Sequence, residues 1–238
     1  MRATLFGVPA SHPTLAAELM LQHKGIDCRR VDLVNAAHRT VLRAMGFPRK
    51  TVPAMRLQGA KVQGTTDIAR ALDALVPSPP LFPADPERRR EVEEAEAWGD
   101  EVLQPVPRRL IWNALKHDRS TLATYLEGAR TGIPTPVATR TAAPIAAASR
   151  RFNRATDEAV ARDLEALPGL IDRVDELIAE GVIGGSERNA ADFQIATSVS
   201  LLLTMDDVRP LIESRPAERL AREIVPRQPG RMPRVFAG

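Results

Sequence analysis

The chain of 238 residues holds a single cysteine, Cys28, which excludes an internal disulfide framework and a CxxC redox pair. In a strand-like setting that lone thiol reads as a small buried hydrophobe. Histidine is scarce as well. His12, His23, His38 and His117 share no metal-ligand spacing, so no metal is expected. No window approaches the roughly 18 apolar residues of a membrane span, and the start, Met1 to Gly7, has no long apolar signal region. These absences give the expectation of a cytoplasmic protein with no membrane partner. Neither GxxxxGK[ST] nor GxGxxG occurs, so the common nucleotide-binding loops are missing. Lysine is sparse beside arginine, and the pI of about 9.5 goes with a net charge of only +3. Arg88-Arg89-Arg90 is flanked by Glu87, Glu91, Glu93 and Glu94, a solvated helix face rather than a nucleic-acid surface. The excess of Arg, Ala and Pro reads as coding bias in a GC-rich bacterial genome. A hydrophobic content of 44% supplies a core for one large domain or two small ones.

The most informative stretch runs from Thr51 to Leu72 and reads as strand, tight turn, strand, helix. Val52, Met55 and Leu57 precede Gln58-Gly59, which supplies the glycine of a short hairpin turn, and Val62 follows it. Pro53 stands at the mouth of the first strand, where no ladder donor is lost. Thr65 is expected to cap the next helix through its hydroxyl, and Asp67 adds a carboxylate in the first turn, where the macrodipole favours it.

Upstream, Arg2 to Gly7 reads as a strand. Ser11 then stands at a helix N-cap position, with Pro13 in the first turn. Leu15, Ala16, Leu19 and Met20 recur at helical spacing, and Lys24-Gly25 stops that helix. Ile26 to Leu33 is a second strand, and Asn35 to Met45 a short helix broken by Gly46-Phe47-Pro48. The order is βαβ followed by ββα, a thioredoxin-like arrangement.

A proline-rich run, Val76 to Pro83, marks a rigid linker, after which strand signals give way to helical ones. Val92, Ala95, Gly99 and Val102 form a narrow apolar stripe suited to a partner helix. Pro105 and Pro107 are expected to kink or break that helix. Leu110 to Leu115 resume it, and Leu122 to Leu126 form another. Thr131 to Ala148, with Pro134, Pro136 and Pro144, reads as a loop and then a short Ala-rich helix. A stripe of Val160, Leu164, Leu167, Ile171, Val174 and Ile178 follows, with a bend or break expected at Pro168-Gly169. Asn189-Ala190-Ala191-Asp192 has capping-box form and opens a helix apolar nearly all round, which places it at the centre of the helical part. The tail with Pro226, Pro229 and Pro233 is expected to be extended, packed over the first domain or mobile.

Jointly, Leu5-Phe6-Gly7, Pro9-Ala10-Ser11, Lys24-Gly25-Ile26, Val52-Pro53 and Gly64-Thr65-Thr66-Asp67-Ile68 resemble the first domain of glutathione S-transferases over residues 1 to 75. The resemblance implies a thioredoxin-like α/β thiol-binding domain (1–77), a linker (78–84), an all-helical domain (85–225) and an extended tail (226–238). It also implies a homodimer, for which the Val92 to Val102 seam is suited. It implies a cis Val52-Pro53 bond, with Val52 offering its backbone to the cysteinyl part of glutathione, and a γ-glutamyl contact at Gly64 and Thr65. Ser11 would be the catalytic residue, donating a hydrogen bond to the sulfur so that thiolate is favoured over thiol. The plain alternative is that Ser11 and Thr65 are helix caps. Arg108 and Trp112 fall where the family lines its electrophile pocket, although Trp112 at helical spacing with Leu110 and Ile111 also suits a core. In the family's capped Asp-Phe helix the residue before the cap is usually apolar, whereas here it is Arg188.

Gly64 departs from the family pattern, which has an acid or amide there. Either Gln63 substitutes from one position earlier, or the thiol is a low-molecular-weight thiol other than glutathione. The implied activity is conjugation of glutathione or a related thiol, as co-substrate, to a hydrophobic electrophile. A second reading, supported by Gly64 and the basic surface, is a non-catalytic transferase-like module that binds a protein partner.

Overall fold

The structure, a computed structural model, describes residues 1–35, 37–131, 135–140, 142–225 and 227–236. Four strands form one sheet in the order β2-β1-β3-β4: β1 (Arg2–Gly7), β2 (Asp27–Asp32), β3 (Ala54–Leu57) and β4 (Ala60–Gln63). β2 runs parallel to β1, while β3 is antiparallel to both β1 and β4. Gln58 and Gly59 both have positive φ, the conformation that a two-residue hairpin requires.

β1 is buried on both faces, as its central place demands. On one face Ala3 and Leu5 join Met55 and Leu57 beneath α1 (His12–His23) and α3 (Thr65–Leu75), which contribute Ala16, Ala17, Met20, Ile68 and Leu72. On the other, Phe6 meets Phe47 edge to face at 5.8 Å, with Leu42 of α2 (His38–Ala44) closing a smaller cluster. The α1 terminus is tied to the linker by the buried Lys24. Its Nζ donates to Asp73 Oδ1 and the Val76 carbonyl, both at 2.7 Å, and to the Pro79 carbonyl.

The helical part begins with α4 (Pro86–Trp98), capped by Asp85, whose side chain accepts from the Arg88 amide at 2.9 Å. Pro105 and Pro107 do not end the helical path. A π-helical turn over Gly99–Leu103 leads into α5 (Pro105–Ala114), so both prolines sit in a first turn whose amides have no intrahelical partner in any case. The stripe of Val92, Ala95 and Gly99 packs inside the chain on α10 (Ala190–Leu202), Gly99 lying against Ile195. Only Val102 of that stripe is exposed, so the seam is not free for a second copy.

Beyond α6 (Leu122–Tyr125), α7 (Thr135–Arg140) falls within the expected loop, and α8 (Ala142–Phe152) is the expected Ala-rich helix; Pro134 lies outside the described residues. α9 (Asp157–Ala179) runs unbroken through Pro168, correcting the expected break there. Pro168 and Gly169 are exposed, so the proline ring is accommodated without disturbing the core.

Every residue of α10 is buried. Its capping box is complete: Asn189 Oδ1 accepts from the amides of Ala191 and Asp192, and the Asn189 amide donates to Asp192 Oδ2 at 2.8 Å. Arg188, ahead of the cap, bonds Glu223 at 2.7 Å in place of an apolar staple. After α11 (Pro216–Ile224) the tail is extended, but its hydrogen bonds go to the helical part. Met232 exchanges backbone bonds with Thr204 and Asp206, and the Val235 amide donates to Asp207. Pro226 lies outside the described residues. Residues 227–229 line a polar cavity with Glu18 and Arg30 of the first domain.

Candidate functional site

The cleft between the sheet part and the helices opens into a cavity of about 180 Å³. Its floor is the turn after β1 and the first residues of α1. Ser11 is the N-cap of α1, and its Oγ accepts from the Thr14 amide at 3.3 Å and from Thr14 Oγ1 at 2.9 Å. A hydroxyl has two acceptor lone pairs and one donor hydrogen. With both lone pairs taken by the fully buried Thr14, the Ser11 hydrogen is left for an acceptor in the cavity. Gly7 makes room for this arrangement, since a Cβ there would stand 2.3 Å from the Thr14 methyl.

One wall is the loop before β3, where Thr51 and Val52 line the cavity and the Val52-Pro53 bond is cis, as the resemblance implied. This loop is held by Gln63, which is buried at 3% exposure. Its Oε1 accepts from the Arg49 amide at 2.7 Å, and its Nε2 donates to the carbonyls of Arg49 and Thr51 at 2.8 and 2.6 Å. Both amide hydrogens of Gln63 are thereby spent within the chain. Gln63 is therefore a staple for the loop and not the substitute γ-glutamyl contact expected from its position.

Ser11 and Val52 thus share the cavity, while Pro53, Gly64 and Thr65 lie outside its lining. Thr65 is not the cap of α3. The N-cap is Gly64, with φ 99°, and no side chain caps the first-turn amides. Glycine adopts that conformation without strain, which suits it to this position. Arg49 reaches across this helix start: a Cβ on Gly64 would stand 2.8 Å from its Nη1, and its guanidinium pairs with Asp67.

The opposite wall comes from the helices. Arg108, Ile111 and Trp112 on α5 face the cavity together with Leu122 and Phe152. The Arg39 guanidinium lies 3.5 Å from the centre of the Phe152 ring, bridging α2 and α8 over the cleft. Beside Ser11, His12 is 2% exposed. Burial, with the Arg108 charge adding to it, holds its imidazole down to about 3, so it is neutral. Tyr125 is also buried. Its hydroxyl bonds Thr204 Oγ1 at 2.9 Å, and burial pushes it up to about 12. Cys28 on β2 is half-buried and away from this cavity. Burial, then Glu18, pushes its thiol up to about 11, which leaves it unreactive at neutral pH.

Thr14 and Arg39 were not singled out from sequence. Thr14 is an ordinary helical threonine beside the Ser11 cap, and the partner of Arg39, Phe152, is distant in sequence.

Residues 5–80 match the sequence profile of the glutathione S-transferase N-terminal domain. This first part of the chain is similar to that domain. Known structures extend the likeness of fold over nearly its whole length. Glutathione transferase F2 from Populus trichocarpa is 16% identical, with 95% of this chain and 94% of that one covered at a TM-score of 0.65. The β-etherase LigF from Sphingobium sp. strain SYK-6 is 18% identical, covering 94% and 98% at 0.63. A glutathione S-transferase from Methylobacterium radiotolerans in complex with glutathione sulfonate is 18% identical, covering 94% and 90% at 0.55. No curated protein sequence matches. The glutathione S-transferase architecture, a thioredoxin-like βαβαββα part followed by helices, is therefore the fold of the chain. Among the described residues no helix is long and apolar enough to cross a membrane, and no three His, Cys, Asp or Glu side chains are grouped to hold a metal ion.

Proposed function

We propose that the protein binds glutathione or a related low-molecular-weight thiol against Ser11 and Val52 and joins it to a hydrophobic electrophile held by the helical wall. The observation that carries this reading is the hydrogen-bond state of Ser11. Its acceptor capacity is used by Thr14, so its hydroxyl can act only as a donor toward the cavity. A donor at a helix N-terminus stabilises a thiolate, which is the nucleophilic form. The thiol proton leaves to water. The sulfur then forms a bond to the electrophilic carbon, and the leaving group departs with its bonding electrons. Ile111, Trp112, Leu122 and Phe152 supply apolar surface for the second substrate. Val52 makes no backbone hydrogen bond among the described residues, which suits the expected backbone contact to the thiol's peptide part.

The proposal includes a cytoplasmic location and a homodimer, the latter through a surface other than the Val92 stripe. Thr65 and Gly64 enter it as the start of α3, whose uncapped amides suit a carboxylate. One observation favours the rival reading of a non-catalytic module binding a protein partner: Arg49 and Asp67 pair across that helix start, where the γ-glutamyl group would sit. Calorimetric titration with glutathione, followed by conjugation to 1-chloro-2,4-dinitrobenzene, decides between them. Saturable binding with turnover supports the transferase reading, and the absence of both overturns it.

A further inference from the structure

Two neighbouring arginines on α5 have opposite fates. Arg109 is matched by Asp163, whose two carboxylate oxygens accept from its Nε and Nη2 at 2.5 and 2.6 Å. Arg108 lines the cavity and has no ion pair or hydrogen bond among the described residues. Its Nε is cut off from solvent without a partner, while the terminal amino groups remain accessible. The carboxylate that acts on it most strongly is Asp100, and Asp100 Oδ1 is already occupied by the side-chain amides of Gln104 and Gln194, each at 3.1 Å. A half-buried guanidinium with no direct ion-pair or hydrogen-bond partner is costly to keep, and an arriving anion would repay that cost.

The surroundings define the anion further. Trp112 and Ile111 are one turn along from Arg108 on the same helix face, and Phe152 lines the same cavity. His12 beneath is neutral, so the other cation lining the cavity is Arg39, which is stacked on the Phe152 ring. Planar aromatic surface beside a planar, forked donor matches a ring that carries a carboxylate. We propose that Arg108 is the specificity residue of this cavity and that the preferred second ligand is an aromatic carboxylate, its ring on Trp112 and its anionic group on the Arg108 guanidinium. This names the substrate class within the transferase reading and rests on it for the cavity's role.

The test is calorimetric binding of 4-nitrobenzoate and of its uncharged methyl ester to the full chain at pH 7.5, without turnover. The acid is expected to bind about tenfold tighter or more, the worth of one charge-assisted hydrogen bond. Arg108→Met should remove that preference and leave the ester's affinity within about twofold, and Arg108→Lys should keep part of it. Equal affinities of acid and ester in the wild type, no binding of either, or an acid affinity unchanged in Arg108→Met would overturn the proposal. The wild-type comparison needs no variant, so a misfolded Arg108→Met does not rescue the idea. Conjugation of uncharged 1-chloro-2,4-dinitrobenzene separately tests the thiol-transfer reading, so either can fail while the other stands.

Discussion

The carboxylate of Glu96 on α4 accepts a hydrogen bond from Arg70 of α3 at 2.7 Å, with the Glu96 side chain 1% exposed and that of Arg70 44% exposed. The pair joins the sheet part to the helical part, but its two members are unequally desolvated. Burial pushes the Glu96 carboxyl up to about 7 in spite of Arg70, which acts in the other direction. Its second oxygen, Oε1, is buried without a partner.

That inequality sets a pH dependence. The folded-state value is raised above the ordinary 4.5, so between 4.5 and about 7 the folded chain holds a proton that the unfolded chain has lost. Stability contributed by this group therefore falls as pH rises through that window and stays low above it. Glu96→Gln mimics the protonated form. It should flatten this part of the profile and raise stability at pH 8 by on the order of 1–3 kcal/mol, less what Arg70 loses. Denaturant midpoints of both proteins from pH 4.5 to 8 measure the difference, and parallel profiles would show that Glu96 is ionised throughout.

Gln63 yields a second expectation. Its three hydrogen bonds hold Arg49 and Thr51 in the loop before β3. Gln63→Leu leaves buried backbone groups unpaired and should cost about 1–3 kcal/mol for each group that water cannot reach. Since Val52 follows directly, thiol affinity should drop as well. Gln63→Glu keeps the acceptor for the Arg49 amide but turns a carboxylate oxygen toward two carbonyls, so it should be no better. Thermal melts with and without glutathione report both effects; a Gln63→Leu protein with unchanged affinity would separate this loop from thiol binding.

Much of the fold was readable before the structure, and the reasons are local. A strand-turn-strand run with Gln58-Gly59, the Ser11 cap and the Asn189 box each carry their signal within a few residues. What was not readable depends on partners. The Val92, Ala95 and Gly99 stripe announces an apolar face but not whether α10 or a second chain covers it. Pro168 announces a missing amide hydrogen but not that its turn faces solvent, where the loss is mild. Gln63 sat at the right place for a ligand contact, and only the return of the loop from Arg49 to Thr51 over it shows that its amide is already used. In the cavity, Ser11 and Val52 were nominated by the resemblance to the transferase family, since spacing alone makes Ser11 a helix cap. Thr14, which determines what Ser11 can do, is an ordinary helical threonine in the sequence.

The Asn189 cap supports a third prediction. Asn189→Ala removes the acceptor of two first-turn amides and should cost about 0.5–2 kcal/mol. Asp192 is fully buried and also accepts from the Gly184 amide, so the loss should propagate through α10 to the whole core and appear as a single cooperative shift. Urea unfolding followed by far-ultraviolet circular dichroism and by tryptophan fluorescence should give coincident transitions displaced together. Two separated transitions would mean that the helical part unfolds independently of the sheet.

Ser11 is where cap and catalyst can be told apart. Both roles use the same oxygen but different parts of it: the cap needs the lone pairs that Thr14 occupies, and the thiolate needs the hydrogen. Ser11→Ala removes both, leaving the Thr14 amide and hydroxyl without their acceptor, at about 0.5–2 kcal/mol of stability. Ser11→Asp returns the acceptor and even favours the helix dipole, yet it has no hydrogen to give at neutral pH and places a negative charge where a thiolate would form. If the hydroxyl is the thiolate donor, Ser11→Asp should melt near the wild-type temperature while conjugation slows by on the order of 10²-fold, and the bound thiol's pKa, read from the pH dependence of thiolate absorbance, should rise in both variants. If Ser11 is only a cap, Ser11→Asp should match the wild type in stability and rate alike, and Ser11→Ala should lose stability alone. Wild-type conjugation rates in both variants would remove Ser11 from the chemistry.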